Sequence, residues 1–453
     1  MFGEIDKLEE MKKKVNEVSP SFCMAKWMHV TFHLMTGQTH SCYLPPTHKI
    51  PLKELDDNPT ALHNTKYKKE QRKKMLKGER PSECSICWNI EDLPGDQVSD
   101  RHMRSVDSWT MPFFDKLKNL KGDENINPTY VEVSFSSACN FKCSYCSPHV
   151  STAWKEEVVK KGSYQLTDYQ HQDMKWFKEN ELMPMEEEGN PYIESFWKWW
   201  PDLSKDLMFF RITGGEPLLS KHTYKVMEWI NKNSLPKLEL SINSNLGIHE
   251  KQYEKFLSLL KPMIEDGKVK QFILHTSIDT YGDQAEYIRN GLNFKTFEKN
   301  LVRYLEENPK APVAFMCTFN CLSVVGFRNF IDWVIGLRKR YTNEHRGILL
   351  DIPHLQFPSF MSARILSDDY HLKMQQHIDY MNSRINDGVN KAEVIKMERI
   401  LEWMKSPIDK AEKLKAQKDF YLFFKEHDKR RATNFLKTFP EMTDFWQNCA
   451  KEV

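Results

Sequence analysis

The sequence predicts an α/β fold organised as a partial (β/α)6 TIM-like barrel, because short β-rich runs alternate with amphipathic helical segments from about residue 127 onward. Apolar residues recur at helical spacing between the runs, as with Phe294, Phe297 and Leu301. In such a barrel the chemistry gathers at the carboxyl ends of the strands. The candidate strands are Tyr130–Phe135, Met208–Thr213, Leu238–Ile242, Phe272–Ile278, Val313–Phe319 and Leu349–Gln356.

Composition changes along the chain predict three parts. Residues 1–110 form a Cys-rich module, residues 125–360 form the barrel, and residues 361–453 form a helical C-terminal extension. A Trp-rich insertion at about 150–206 separates the first two strands, and its aromatic stretch Ser195–Trp200 is typical of core packing. The basic segment Lys66–Lys74 is expected to be a solvated helix.

The composition excludes several classes of protein. A net charge of +2 gives no global electrostatic reason for binding nucleic acid or a membrane. No apolar run reaches the roughly 18 residues that a membrane span needs, and Met1–Val15 has no signal-peptide core. A cytoplasmic location is therefore expected. The ten Cys residues then indicate metal or redox chemistry rather than disulfides.

Three of these cysteines, Cys139, Cys143 and Cys146, directly follow the first candidate strand. A tight loop with this spacing brings three thiols to three corners of an iron–sulfur cluster, for which thiolate is the usual ligand. One iron then lacks a protein ligand, and an open position is what a catalytic metal needs. The alternatives are a structural zinc loop, for which only His149 is a nearby fourth ligand, or buried free cysteines.

The second candidate strand ends in Gly214-Gly215-Glu216-Pro217. Paired glycines allow close approach of the backbone to a ligand, and the carboxylate and carbonyls there are acceptors for a ligand ammonium group. On its own the motif is also compatible with a turn before a helix. The two motifs occur in order, each at the end of a strand.

Together these motifs resemble the radical S-adenosylmethionine (SAM) superfamily, and within it the group with twitch or SPASM-type auxiliary modules. The resemblance implies a [4Fe-4S] cluster on the three cysteines, whose fourth iron chelates SAM and cleaves it to a 5′-deoxyadenosyl radical. It further implies SAM contacts along the barrel. The implied cofactor-binding residues are Tyr145, Gly214, Gly215, Glu216, Pro217, Ser241, Asn243, Ser277, Asp279 and Arg289. Asn243 and Asp279 are equally suited to capping the helices that follow them.

A second group of four thiols comprises Cys23, Cys42, Cys84 and Cys87. Zinc and an iron–sulfur cluster both accept four thiolates, and the spacing does not separate them. Beside a radical SAM core, a second [4Fe-4S] cluster is the favoured occupant. Its position before the barrel departs from most relatives, in which the auxiliary module follows the barrel.

The resulting hypothesis is a radical SAM enzyme that abstracts hydrogen from a substrate. A peptide or protein substrate is favoured, with a small molecule, nucleotide or sugar as the alternative. The expected partner is a reductase or a flavodoxin- or ferredoxin-type electron donor. The rivals from other classes are a zinc-stabilised binding protein and an iron–sulfur electron carrier that does not use SAM. Cys317 and Cys321 are expected to be buried core residues.

Overall fold

The computed structural model describes residues 2–167 and 172–452, so residues 168–171 of the predicted insertion lie outside the described part. It contains eleven strands, most of them short. They are β1 His29–His33, β2 Gln38–His40, β3 His48–Lys49, β4 Tyr130–Ser134, β5 Lys142–Cys143, β6 Phe209–Thr213, β7 Leu235–Ser244, β8 Val269–Ser277, β9 Arg289–Asn290, β10 Val313–Met316 and β11 Ile348–Asp351.

Helices occupy most of the remaining described chain. The helices before the barrel are α1 Phe2–Val18, α2 Ala25–Met28, α3 Leu52–Leu55, α4 Lys66–Leu76, α5 Ser85–Glu91, α6 Asp100–Ser105 and α7 Phe114–Leu117. Those among the barrel strands are α8 Thr152–Lys161, α9 Met174–Glu179, α10 Pro191–Asp206, α11 Lys221–Asn233, α12 Glu250–Glu265, α13 Gly282–Ile288, α14 Phe294–Glu307 and α15 Ser323–Tyr341. The last five are α16 Asp369–Ser383, α17 Lys391–Lys405, α18 Lys410–Arg431, α19 Phe435–Thr438 and α20 Thr443–Ala450.

The main sheet confirms the predicted partial (β/α)6 barrel. Strands β4, β6, β7, β8, β10 and β11 are parallel and lie side by side in chain order. At least one helix connects each consecutive pair, as parallel pairing requires. Among the described strands, β11 and the opposite edge strand β3 do not pair, so the barrel is open. All six predicted strands are present, and β10 and β11 are shorter than predicted.

The N-terminal segment extends this sheet, which the sequence did not predict. Strand β1 pairs in parallel with β4, and β2 and β3 continue the sheet in antiparallel order. A separate apolar cluster around Trp27, Trp88 and Trp109 lies in this segment, and Tyr130 and Phe209 pack against it. Because those two residues begin β4 and β6, the segment covers the amino ends of the barrel strands.

The Trp-rich insertion packs into the core as expected. Helix α10 buries Phe196, Trp199 and Trp200, and the ring of Trp200 lies 5.0 Å from that of Phe210 on β6. Across the described residues, no helix is both long enough and apolar enough to cross a membrane.

The helix expected at Lys66–Lys74 is present as α4, but the expectation that it is solvated is wrong for one of its faces. Lys68 and Arg72 of α4 are buried, and Arg72 donates hydrogen bonds to Asn64 and to the backbone carbonyl of Lys26. A buried guanidinium needs such partners. Those partners are distant in sequence or lie outside the helix, which is why the charge pattern alone indicated solvent exposure.

Replacing Trp200 by Ala should destabilise the protein by about 3–5 kcal/mol, because a fully buried ring is removed from the contact between α10 and the sheet. Urea denaturation followed by circular dichroism measures the change in the free energy of unfolding. Val159→Ala, at a side chain that is 71% exposed, is the control and should change it by less than about 0.5 kcal/mol. Equal effects of the two substitutions would contradict this packing.

Candidate metal and cofactor site

The three cysteines after β4 line a single cavity of about 210 Å³. Cys139 follows the strand in a loop, Cys143 lies on β5, and Cys146 follows in the turn after it. The cavity also contains residues from the ends of β6, β7 and β8, namely Thr213, Asn243 and Ser277. The carboxyl ends of four neighbouring parallel strands therefore contribute to one space with three thiols in its wall.

The thiols of this cavity are poorly suited to remain charged by themselves. Burial raises the pKa of Cys139 to about 12, and the neighbouring Cys143 adds to the effect. Burial also raises the pKa of Cys143 and Cys146. A bound cationic centre would stabilise the thiolates that burial disfavours. Within the described residues, no group of three or more His, Cys, Asp or Glu side chains is arranged around a single ion position.

Gly214 and Gly215 lie directly against the loop that carries the cysteines. A Cβ atom on Gly214 would lie 2.7 Å from the Ser136 carbonyl oxygen, and one on Gly215 would lie 2.3 Å from that of Ala138. The amides of Gly215 and Glu216 donate to those same two carbonyls, at 3.0 and 2.6 Å. The glycines are thus required by close contact with the cysteine loop, and their backbone also lines the cavity.

The Glu216 carboxylate is held by the protein itself. It accepts hydrogen bonds from the amides of Leu218 and Asn245, at 3.0 and 2.6 Å, and from the Ser244 hydroxyl at 2.8 Å. Burial raises the pKa of Glu216 to about 7, although these donors oppose the shift. The side chain therefore joins the end of β6 to the end of β7 and positions both around the cavity.

Asp279 and Arg289 form a buried ion pair beside the cysteines. The Arg289 Nη2 atom donates to Asp279 Oδ1 at 3.0 Å, and the Tyr145 hydroxyl donates to Oδ2 at 2.9 Å. The other guanidinium nitrogen, Nη1, lies 3.7 Å from the Cys143 sulfur. Strand β9 pairs with β5, and Cys143 is opposite Arg289 in that register. The ion pair thus orients a cation towards a thiol.

Most of the residues named from the sequence meet in this cavity. It is lined by Tyr145, Gly214, Gly215, Glu216, Asn243, Ser277 and Arg289, together with the three cysteines. Pro217, Ser241 and Asp279 are not in its wall: Pro217 begins a turn, Ser241 lies one layer deeper on β7, and Asp279 is fully buried behind Arg289. The cavity is also lined by Phe141, Val150, Thr213, Ser244, Asn245 and Thr318, none of which is among the predicted cofactor-binding residues.

Cys317 and Cys321 are fully buried, as expected for core cysteines. His149, the candidate fourth ligand of a zinc loop, does not line the cysteine cavity. Its Nδ1 atom lies 2.8 Å from the Ser147 hydroxyl, and its ring lines an adjacent cavity.

The four other thiols also meet at one place. Cys23, Cys42, Cys84 and Cys87, which span 65 positions of the sequence, line a common cavity. Cys42 follows β2, whose last residue pairs with Thr31 of the antiparallel β1. This cavity therefore lies towards the amino end of β1, whereas Cys139, Cys143 and Cys146 follow the carboxyl end of β4, which runs parallel to β1.

Charged side chains of both signs line the four-thiol cavity, and Asp100 is the acidic one. Lys26, Arg101 and Arg104 line the same cavity, and none of them was singled out from the sequence. Lys26 is buried and forms an ion pair with Glu83. Burial acts to lower the pKa of Lys26, but the nearby Cys84 and Glu83 raise it overall. Arg101 pairs with Glu91, and Arg104 pairs with Asp100 and Asp107, so each of the three cations already has a carboxylate partner.

A second cavity of about 250 Å³ adjoins the three-cysteine cavity and shares Val150 and Gly215 with it. Burial lowers the pKa of His33, and it lowers that of His149 to about 4, so both imidazoles are neutral at pH 7. The rest of the described wall is uncharged. It contains Met35, Thr36, Gln38, Thr47, Ser134, Ser136, Ser137 and Leu182.

Comparison with solved structures finds weak overall likenesses. A structure described as native anSMEcpe with bound AdoMet and Cp18Cys peptide is 15% identical, covers 57% of this chain and 62% of that chain, and has a TM-score of 0.36. Another, described as native anSMEcpe with bound AdoMet, is 17% identical with the same coverage and TM-score.

Each match covers less than two thirds of the solved chain, and a structural similarity this low assigns no activity to this protein. No family model matches the sequence. No curated protein matches it either.

Replacing Gly215 by Ala should displace the cysteine loop, because the added Cβ meets a backbone carbonyl that has no room to move away. We expect destabilisation of about 1–3 kcal/mol, measured by chemical denaturation of the metal-free protein. Gly336→Ala is the matched control: it lies in helix α15 with no atom within 4 Å of the added methyl group and should be neutral or stabilising by up to about 1 kcal/mol. Similar values for the two variants would contradict the close contact.

Proposed function

We propose that this protein is a radical SAM enzyme that binds a [4Fe-4S] cluster through Cys139, Cys143 and Cys146 and modifies a substrate by hydrogen abstraction. One observation carries the proposal: three thiols and the Gly214-Gly215 backbone line one cavity at the carboxyl ends of parallel strands. A donor set of three thiols fits a cluster with one iron left open to a ligand. Such a cluster supplies, when bound with SAM, an electron that cleaves SAM to methionine and a 5′-deoxyadenosyl radical.

The side chains around the thiols suit the remaining parts of SAM. Asn243, Asn245, Ser277 and Thr318 offer neutral hydrogen-bonding groups for an amino acid and a ribose. Arg289 adds a guanidinium, which pairs well with a carboxylate. Glu216 and Asp279 are instead positioning residues, because protein donors already occupy their oxygens.

The adjoining cavity is the proposed place for the group that is modified. It lies next to the thiols, and its described wall carries no charge at neutral pH. Burying a charged group there would leave the charge without a partner, which is costly. The cavity therefore favours an uncharged, hydroxyl- or amide-bearing group. Such groups occur in peptides and proteins, the favoured substrates, and also in sugars and nucleosides.

The four-thiol cavity is the proposed site of a second [4Fe-4S] cluster. Four thiolates fill the ligand set of such a cluster, which favours electron transfer over binding of substrate at an open iron. Zinc accepts the same four thiolates chemically, although among the described residues the thiols are not arranged around a single ion position. The electrons for reducing the core cluster would come from a reductase or a flavodoxin- or ferredoxin-type donor.

Replacing Cys143 by Ala should abolish formation of 5′-deoxyadenosine while the fold is retained, because the loop lies at the open end of the barrel. The measurement is chromatography of the products after anaerobic reconstitution with iron, sulfide, SAM and dithionite. Cys449→Ala, at a buried cysteine far along the chain in α20, is the control and should retain activity. Cleavage of SAM by the Cys143 variant would rule out the proposed cluster.

The reconstituted protein should contain about eight irons per chain if both thiol groups hold [4Fe-4S] clusters. Changing Cys84 and Cys87 to Ala together should reduce the count to about four and leave the core cluster in place. Elemental analysis for iron and zinc measures both values. Four irons and one zinc in the unmodified protein would assign zinc to the four-thiol site.

A further inference from the structure

Helix α18 of the C-terminal extension ends against the loop that carries the core cysteines. Its last residue, Arg431, has a side chain that is 2% exposed. Its Nη1 atom donates to the backbone carbonyl of Lys142 at 3.1 Å, and its guanidinium lies 4.7 Å from the centre of the Trp154 ring. The peptide between Lys142 and Cys143 is thus held by a residue 289 positions further along the chain.

The next peptide and the Lys142 side chain are held by groups that Arg431 contacts. The Trp154 indole nitrogen donates to the Cys143 carbonyl at 2.9 Å. The Glu157 carboxylate pairs with Arg431 at 3.4 Å and with the Lys142 ammonium at 2.7 Å. Helix α18 is in turn fixed by Asp428, whose carboxylate accepts a hydrogen bond from Tyr287 at 2.7 Å, two residues before Arg289.

We propose that Arg431 is a positioning residue of the core cluster and that its charge, buried behind Cys143, raises the reduction potential of that cluster. The inference rests on the function proposed above. It makes helix α18 part of the metal site.

The physical reason is the charge that reduction adds. One electron from dithionite converts [4Fe-4S]²⁺ to [4Fe-4S]⁺, with no bond formed or broken and no proton transferred. Counting three thiolates, the net charge changes from −1 to −2. A nearby cation stabilises the more negative state, and it does so more strongly in a buried, low-dielectric setting. A guanidinium keeps its charge there, since it is effectively always protonated.

The other charged groups near Arg431 compensate its charge only in part. Glu157 is the one carboxylate paired with it among the described ion pairs, and Lys142 also pairs with Glu157. Arg430 lies 4.0 Å from that same carboxylate. Arg430 pairs more closely with Glu426, at 2.8 Å, so Lys142 and Arg431 are the two cations that mainly share Glu157. Arg289, whose Nη1 atom lies 3.7 Å from the Cys143 sulfur, is paired with Asp279.

The test is a redox titration of the reconstituted full-length protein without SAM, followed by electron paramagnetic resonance of the reduced cluster. In Arg431→Gln we expect the ratio of oxidised to reduced core cluster at a fixed potential to rise about tenfold, equivalent to a shift of about 59 mV to lower potential. Arg431→Lys keeps the charge and should retain most of the original value. The matched control is Arg430→Gln, on the same helix and near the same carboxylate, with donor contacts to Gly162 and Glu426 instead of the cysteine loop; it should change the ratio by less than Arg431→Gln.

Glu157→Gln gives a test of opposite sign, because it removes the anion and keeps Arg431. The potential should rise. This variant also decides the matter if Arg431→Gln does not retain iron. An unchanged potential in Arg431→Gln, or in Glu157→Gln when the first variant does not load iron, would overturn the inference. Absence of a core cluster in the unmodified protein would instead refute the proposed function.

Discussion

The candidate site depends on one steric constraint: two consecutive peptides of the second barrel strand's end lie directly on the backbone of the cysteine loop. No side chain fits between Gly214 and Ser136, or between Gly215 and Ala138. The amides of Gly215 and Glu216 use this closeness to bond the loop's carbonyls. The position of the three thiols therefore depends directly on the position of the end of β6.

Buried charged side chains also fix the geometry of the cysteine loop, and they come from distant parts of the chain. Asp279, which follows the fourth barrel strand, pairs with Arg289 beside the loop. Arg431, at the end of helix α18, donates a hydrogen bond to the loop itself. Breaking a buried pair by removing one partner leaves an unpaired charge and is strongly destabilising. The loop therefore depends on contacts made across nearly the whole length of the barrel and its extension.

The strands and the two thiol groups were predictable from the sequence, because hydrophobic periodicity and cysteine spacing are local signals. The pairing of Asp279 with Arg289 was not predictable, because the sequence of a motif does not show whether a side chain contacts a ligand or another residue. The burial of Lys68 and Arg72 was missed for a related reason: the groups that satisfy them are not encoded in the charge pattern of their own helix. The addition of β1 to the sheet also depends on a partner strand about a hundred residues away.

The parallel pairing of β1 with β4 ties the N-terminal segment to the barrel through a continuous row of backbone hydrogen bonds. A truncated protein that begins after residue 110 would lose those hydrogen bonds. Strand β4 would then be an exposed edge strand whose unpaired backbone groups could pair with strands of other molecules. It would also uncover Tyr130 and Phe209, which the segment's apolar cluster shields. Dissection of the chain into separately expressed halves would therefore yield aggregation-prone material, and the two thiol groups need to be studied within a single intact polypeptide.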